Sequence, residues 1–253
     1  MRQYEAVEII SNLLVQENLV EAIFIKGSLA RSKEDEYSNI DLYCLVDKSK
    51  YDVFINKQIS LLKKYDQIIY SKVVLSNISH CICVFDNGIV LNLYALKHED
   101  LDYVDDMAII FDPKGYLKDY KVIPLSYTPD EVGELLNKFL LTSIEFHNAY
   151  KRKDNLYSFS LASTMFRDLG VIIRIKDDPN YAKLGLKHLV LNEKTWVRYL
   201  EIASKLKLNS VLECVKMIYV FLDNYINNVP IALAEHINFD FYAYTKNKIM
   251  SII

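Results

Sequence analysis

Asn39 and Asp41 stand two positions apart in the run Ser38-Asn39-Ile40-Asp41-Leu42-Tyr43-Cys44-Leu45-Val46. Polar and apolar residues alternate there as they do along a half-buried strand. The alternation sends residues 39, 41 and 43 to one face and Ile40, Leu42 and Cys44 to the other, so the amide and the carboxylate point the same way. Oxygen-bearing side chains gathered on one strand face are the usual grip for a hard divalent cation. Shortly before them, Gly27-Ser28-Leu29-Ala30-Arg31 follows the apolar run Val20, Ala22, Ile23, Phe24 and Ile25, the pattern of a buried strand ending in a turn. Gly27 admits a ligand close to the backbone, Ser28 offers an N–H and an O–H, and Arg31 brings a positive charge, so the natural guest is a phosphate.

A third polar side chain joins this set. Asp86-Asn87-Gly88 is a strong hairpin signal, and the strand it opens, Ile89 to Leu96, carries Asn92 in its middle.

In this order the residues resemble the nucleotidyltransferase superfamily that includes DNA polymerase beta and the bacterial aminoglycoside and lincosamide adenylyltransferases. That pattern is a hydrophobic residue, Gly, then Gly or Ser, roughly ten residues, then Asp, hydrophobic, Asp or Glu, hydrophobic, with a third carboxylate on a later strand. Gly27, Ser28, Asp41 and Leu42 match it. Asn39 occupies the first carboxylate position and Asn92 the third, so two of the three metal-binding carboxylates are amides here. The resemblance implies transfer of a nucleoside monophosphate, AMP from ATP, to a hydroxyl of a small molecule such as an antibiotic, with Mg²⁺ accompanying the triphosphate. It implies that Gly27, Ser28 and Arg31 bind the nucleotide and that Asn39, Asp41 and Asn92 fill the metal positions. Asp41 is then catalytic, and Glu145, in the helical half, is a candidate general base for the acceptor hydroxyl. It further implies an acceptor site shaped by that helical half, often within a homodimer.

The amides weaken this chemistry. A unit charge about 4 Å from a divalent cation, at an effective dielectric of about 20, is worth about 8 kcal/mol, and several kcal/mol should survive desolvation for each carboxylate lost. Binding of the magnesium nucleotide is expected to outlast transfer, because the phosphates supply their own anionic oxygens. The alternative to an active transferase is therefore a catalytically impaired nucleotide-binding or interaction protein that keeps the fold. Asp35, Glu36, Asp47 and Asp86 are the carboxylates near enough in sequence to compensate. Glu145 has a second reading, at the edge of an apolar stripe and paired with a base on a neighbouring helix. Arg167 and Arg174 could meet a phosphate, or could pair with Asp168, Asp177 or Asp178. Tyr37, Tyr43 and Tyr94 fall near the proposed site, where a ring can stack on a base.

The elements that must position these groups divide into two kinds. Tyr4 to Val15 reads as an amphipathic helix, followed by the strand to Ile25, a short helix from Leu29 after the turn, and the Asp41 strand, a βαβ-like start. Tyr51 to Lys64 reads as a helix; Gln67 to Leu75, His80 to Phe85, Ile89 to Leu96 and Met107 to Phe111 read as strands. Thr128-Pro129-Asp130-Glu131 is a capping box with proline at the first helical position, opening a helix to about Tyr150. Helical periodicity continues over Asn155 to Ile175, Glu193 to Lys205, Ser210 to Ile226 and Ala234 to Ile249. The expected fold class is α+β: a nucleotidyltransferase-type mixed sheet with helices over residues 1–125, then an all-α bundle over 126–253.

Composition bounds the partners. The chain has 253 residues, 51% of them hydrophobic, and a net charge of −3. It carries no broad basic face, which disfavours nucleic acid as substrate. Met1 to Glu8 has no apolar h-region and no run approaches a membrane span, so the cytoplasm is the expected compartment and no membrane partner is expected. Cys44, Cys81, Cys83 and Cys214 form no disulfide or CxxC pattern and read as buried thiols, a zinc site with His80 or His98 being the lesser reading.

Overall fold

A computed structural model describes residues 2–76 and 78–253, apart from the side chains of residues 231 and 232. The chain divides into two compact units, Met1–Pro124 and Leu125–Ile253.

The first unit is built on a six-stranded mixed sheet. Its strands are β1 (Ala22–Lys26), β2 (Ile40–Leu45), β3 (Ile68–Val74), β4 (Ser79–Phe85), β5 (Val90–Leu96) and β6 (Met107–Phe111), in the order β3-β4-β5-β2-β1-β6. β2 and β5 run parallel, and every other neighbouring pair is antiparallel. The two faces differ as alternation requires. Ile23, Ile25, Ile40, Leu42, Cys44, Cys81, Cys83, Leu91, Leu93 and Ala95 all point to one side, where α1 (Arg2–Gln16) supplies Ala6, Val7, Ile10 and Leu14 and α2 (Tyr51–Leu62) supplies Phe54, Leu61 and Leu62. The opposite face carries Phe24, Lys26, Asp41, Tyr43, Asn92, Tyr94 and His80, with a smaller apolar cluster of Ala22, Phe24, Leu45, Leu96 and Leu117. The chemistry-bearing side chains thus share the face that α1 and α2 leave uncovered.

The first turn of α1 also sets the loops that lead into this face. Gln3 Nε2 donates to the carbonyls of Asp35 and Glu36, both at 3.0 Å, and Arg2 Nη1 donates to the carbonyl of Asn87 at 2.9 Å. The segments that deliver Asp41 and Asn92 are therefore tied to one helix end.

Two local expectations are corrected. No helix follows Leu29: residues 27–32 are a chain of turns, closed by Arg31 N to Gly27 O at 3.1 Å and Lys33 N to Ser28 O at 3.0 Å. The start is likewise not βαβ, because a connection without a helix lets β1 fold straight back and pair antiparallel with β2.

The second unit is helical: α3 (Pro129–Lys151), α4 (Asn155–Asp177), α5 (Glu193–Ser204), α6 (Val211–Ile226), α7 (Ile231–Ala234) and α8 (Phe239–Met250). Phe139, Phe146, Met165, Leu169, Ile172, Val215, Ile218, Tyr219 and Leu222 form its core. The expected helix from Ala234 onward is broken after Ala234, and α8 starts afresh where Asn238 accepts from Phe241 N at 2.9 Å. The capping box at Thr128 is realised in both directions, Glu131 N to Thr128 Oγ1 at 3.2 Å and Thr128 N to Glu131 Oε2 at 2.8 Å. Thr128→Ala is expected to cost about 1 kcal/mol, read as a lower midpoint in urea with an unchanged slope.

Asp168 gives a pH signature. It is buried on α4, its Oδ2 has no hydrogen-bond partner, and burial pushes its carboxyl above the usual carboxylate range despite Lys138 and Arg167. A raised folded-state pKa contributes stability that is complete below the unfolded value and lost as pH rises through the folded one. Asp168→Asn removes that loss, so its melting temperature relative to the unmodified chain is expected to climb from about pH 4 towards neutrality. A difference that does not vary with pH would count against this assignment.

Candidate functional site

The site is assembled by strand register. β2 pairs with β5 so that Asp41 lies directly opposite Asn92, and β1 pairs with β2 so that Lys26 lies opposite Asp41 on the other side. Asn92 Nδ2 donates to Asp41 Oδ1 at 2.7 Å, and the Asn92 Oδ1 faces His80 Nε2 on β4 at 3.2 Å. This orientation of the amide follows from chemistry. A carboxylate only accepts, so the nitrogen faces Asp41; the amide oxygen only accepts, so His80 carries its proton on Nε2. A continuous hydrogen-bonded chain, His80 to Asn92 to Asp41, crosses three strands.

Gly27 closes the other side of Asp41. It has φ +77°, and a Cβ there would sit 2.7 Å from Asp41 Oδ2. The glycine is thus required twice, by a left-handed backbone and by the carboxylate packed against it. Ser28, next in the turn, is buried. Asn39 precedes β2 and is exposed.

Beside the carboxylate, four rings stack across four strands. Phe24, Tyr43, Tyr94 and His80 follow one another at centroid separations of 5.1, 4.4 and 4.3 Å with planes within 14° of parallel. Burial first, then negative charges including Asp41, push the Tyr43 hydroxyl pKa up, and burial followed by Asp41 does the same for Tyr94. Both phenols stay protonated, so they offer stacking surface and O–H donors rather than bases.

Two cations flank the turn. Lys26 Nζ is paired with the Asp102 carboxylate, donates to the Val104 carbonyl at 2.9 Å, and lies within 6 Å of the Phe24, Tyr43 and Tyr120 ring centres. Arg31 is ion-paired with Asp105. Lys26, Asp102 and Asp105 carry no role in the sequence analysis, and His80 enters it only as a possible zinc ligand. The position of His80 was accessible, since counting outward from the three-residue Asp86-Asn87-Gly88 turn pairs Phe85 with Ile89 and His80 with Tyr94. The acid partners were not, because they come from a loop far along the chain.

The donor set does not fit a divalent metal. Asp41 is the only carboxylate at the three strand positions, and Asn92 turns its amide nitrogen, a donor, towards it rather than an oxygen towards a shared point. Among the described residues no group of three or more His, Cys, Asp or Glu side chains could hold an ion. Of the carboxylates considered as substitutes, Asp35 accepts from Tyr37 N and Ser38 Oγ, Asp47 accepts from Ser49 N, and Glu36 is exposed. Asp86 is exposed.

Other sequence candidates resolve individually. Tyr37 is 80% exposed. Arg174 is buried and pairs with Asp178 while donating to the carbonyls of Gly185 and Lys187, and Arg167 pairs with Asp168. Glu145 belongs to the second unit, where it is exposed and accepts from the Tyr157 hydroxyl at 3.3 Å; the expected basic partner is replaced by a phenol. All four cysteines are free and buried.

No protein-family model and no curated protein matches the sequence. Solved structures that resemble the chain include an aminoglycoside 6-adenyltransferase from Bacillus subtilis, 15% identical over 98% of this chain and 99% of that one with a TM-score of 0.40. Another is the GLD-2/RNP-8 complex, 14% identical over 82% of this chain and 70% of that one with a TM-score of 0.28. Neither superposition is close enough to transfer a residue role. The expected α+β class, a mixed sheet with helices followed by a helical part, is the architecture observed.

Proposed function

We propose that this chain is a nucleotidyltransferase-like protein that binds a nucleoside triphosphate at the Gly27 turn without carrying out two-metal transfer. The observation that carries this reading is the Asn92 amide donating to Asp41 at 2.7 Å. It satisfies the carboxylate with a neutral donor, which a metal-gripping site leaves to the ion. Binding is supported by the Gly27-Ser28 turn, by the two cations flanking it and by the ring stack beside it.

Transfer of AMP from ATP to a small-molecule hydroxyl, in an antibiotic for instance, asks more. It needs Mg²⁺ held by Asn39, Asp41 and Asn92 and a base such as Glu145, and the amide orientation works against the first requirement. A homodimer belongs to that fuller reading. Incubation with α-labelled ATP, Mg²⁺ and a panel of aminoglycosides and lincosamides is the test. No labelled acceptor and no excess pyrophosphate is the expected outcome, and labelled product from any member would overturn the non-transferring reading.

A further inference from the structure

Lys26 and Arg31 are unusual among the charged residues of the first unit in being almost wholly covered, each with a side chain 7% exposed. Their partners come from one short segment. Asp102, 57% exposed, takes Lys26, and Asp105, 13% exposed, takes Arg31. The segment is held in a specific shape: Val104 N donates to Asp102 Oδ1 at 3.2 Å, Asp106 N donates to Asp105 Oδ1 at 2.9 Å, and the Tyr120 hydroxyl donates to the carbonyls of Val104 and Asp105. Asp105 itself has φ +74°, a left-handed conformation that a non-glycine residue adopts at a cost. A strained aspartate and an exposed one therefore cover the two cations that bracket the phosphate turn.

Metal ions ordinarily neutralise the charge of a bound triphosphate, and here the donor set does not suit them. We propose that Lys26 and Arg31 neutralise the phosphates in place of metal, and that Asp102 and Asp105 occupy those cations until the guest displaces them. This rests on the nucleotide-binding reading above. The segment is then an internal anion that competes with phosphate, so its closed state lowers the apparent affinity by the fraction of molecules left open. Specificity follows as well: the cations read the phosphate chain, and the ring stack is left to read whatever the chain is attached to.

The test is titration calorimetry in EDTA with two probes, ATP and inorganic tripolyphosphate, on the unmodified chain and on Asp102→Asn and Asp105→Asn. Both variants are expected to bind both probes more tightly, by about tenfold, as the competing charge is removed. Lys26→Met, checked for folding by its melting curve, is expected to bind more weakly by a similar factor. A measurement on the unmodified chain guards against misfolded variants. Hydrogen exchange at the Val104 and Asp106 amides should quicken on adding tripolyphosphate, because their carboxylate acceptors leave. Unchanged affinities and unchanged exchange in a chain that still binds ATP would overturn the displacement proposal while leaving nucleotide binding intact. A response to ATP without one to tripolyphosphate would remove these cations from phosphate recognition. Absence of binding by either probe in every variant would remove both readings.

Discussion

Asn92→Asp is expected to destabilise the first unit by about 3 kcal/mol at neutral pH in EDTA. The amide now donates to Asp41 at 2.7 Å and accepts from His80. Losing a hydrogen bond to a charged group accounts for about 1.5–3 kcal/mol. The new carboxylate also faces Asp41 directly across the parallel strands, a position where like charges repel. One carboxyl of the pair must then titrate at a raised pH, so the deficit shrinks as pH falls through that value. His80, donating to the new carboxylate, offsets part of the loss. Adding Asn39→Asp puts a carboxylate at each of the three positions that the sequence pattern assigns to metal, and this double variant is expected to gain melting temperature on addition of Mg²⁺ or Mn²⁺, as a ligand that binds only the folded state must produce. The unmodified chain is expected to show no such gain. Equal responses of the two proteins would mean that the amides are not what keeps metal away.

Gly27→Ala is the second large effect, about 3 kcal/mol, with nucleotide binding lost alongside stability. The left-handed backbone at φ +77° costs an alanine about 1–2 kcal/mol. Its methyl would sit 2.7 Å from Asp41 Oδ2, closer than carbon and oxygen can approach. Asp41 cannot simply retreat, because its other oxygen holds Asn92. Gly88 supplies the control. It has φ +79°, but a Cβ there meets only Arg2 Nη1, at 3.7 Å. Gly88→Ala should carry the backbone cost alone and leave ligand binding unchanged. Urea unfolding of the two variants, with titration calorimetry on each, separates the conformational term from the contact with Asp41.

Alternation and turn chemistry carried much of the architecture in the sequence. The period of two around Asp41 fixed which residues share its face, and the Asn87-Gly88 turn fixed where β4 ends and β5 begins. Both are local signals, as is the Thr128 capping box. What could not be read locally was pairing over distance. That β2 lies parallel to β5, with Asp41 opposite Asn92, is a long-range choice of register, and it turned two separate departures from a motif into one hydrogen bond. The ion pairs of Lys26 and Arg31 span 76 and 74 residues, and nothing in the sequence near either base announces its acid. The absent helix after Leu29 has a different cause. Apolar Leu29 and Ala30 beside Arg31 suit a helix by propensity, but the left-handed Gly27 and the closing bond from Lys33 N to Ser28 O spend the segment as a turn.

These features converge on a site whose carboxylate is satisfied by an amide and whose cations are held by acids from the same unit. The most direct measurement is calorimetric titration of the unmodified chain with ATP, once in EDTA and once in Mg²⁺, followed by a pyrophosphate assay on the same samples. Binding of similar strength in both buffers, with no pyrophosphate released, is the expected result. Binding that requires Mg²⁺ and is followed by pyrophosphate release would contradict it.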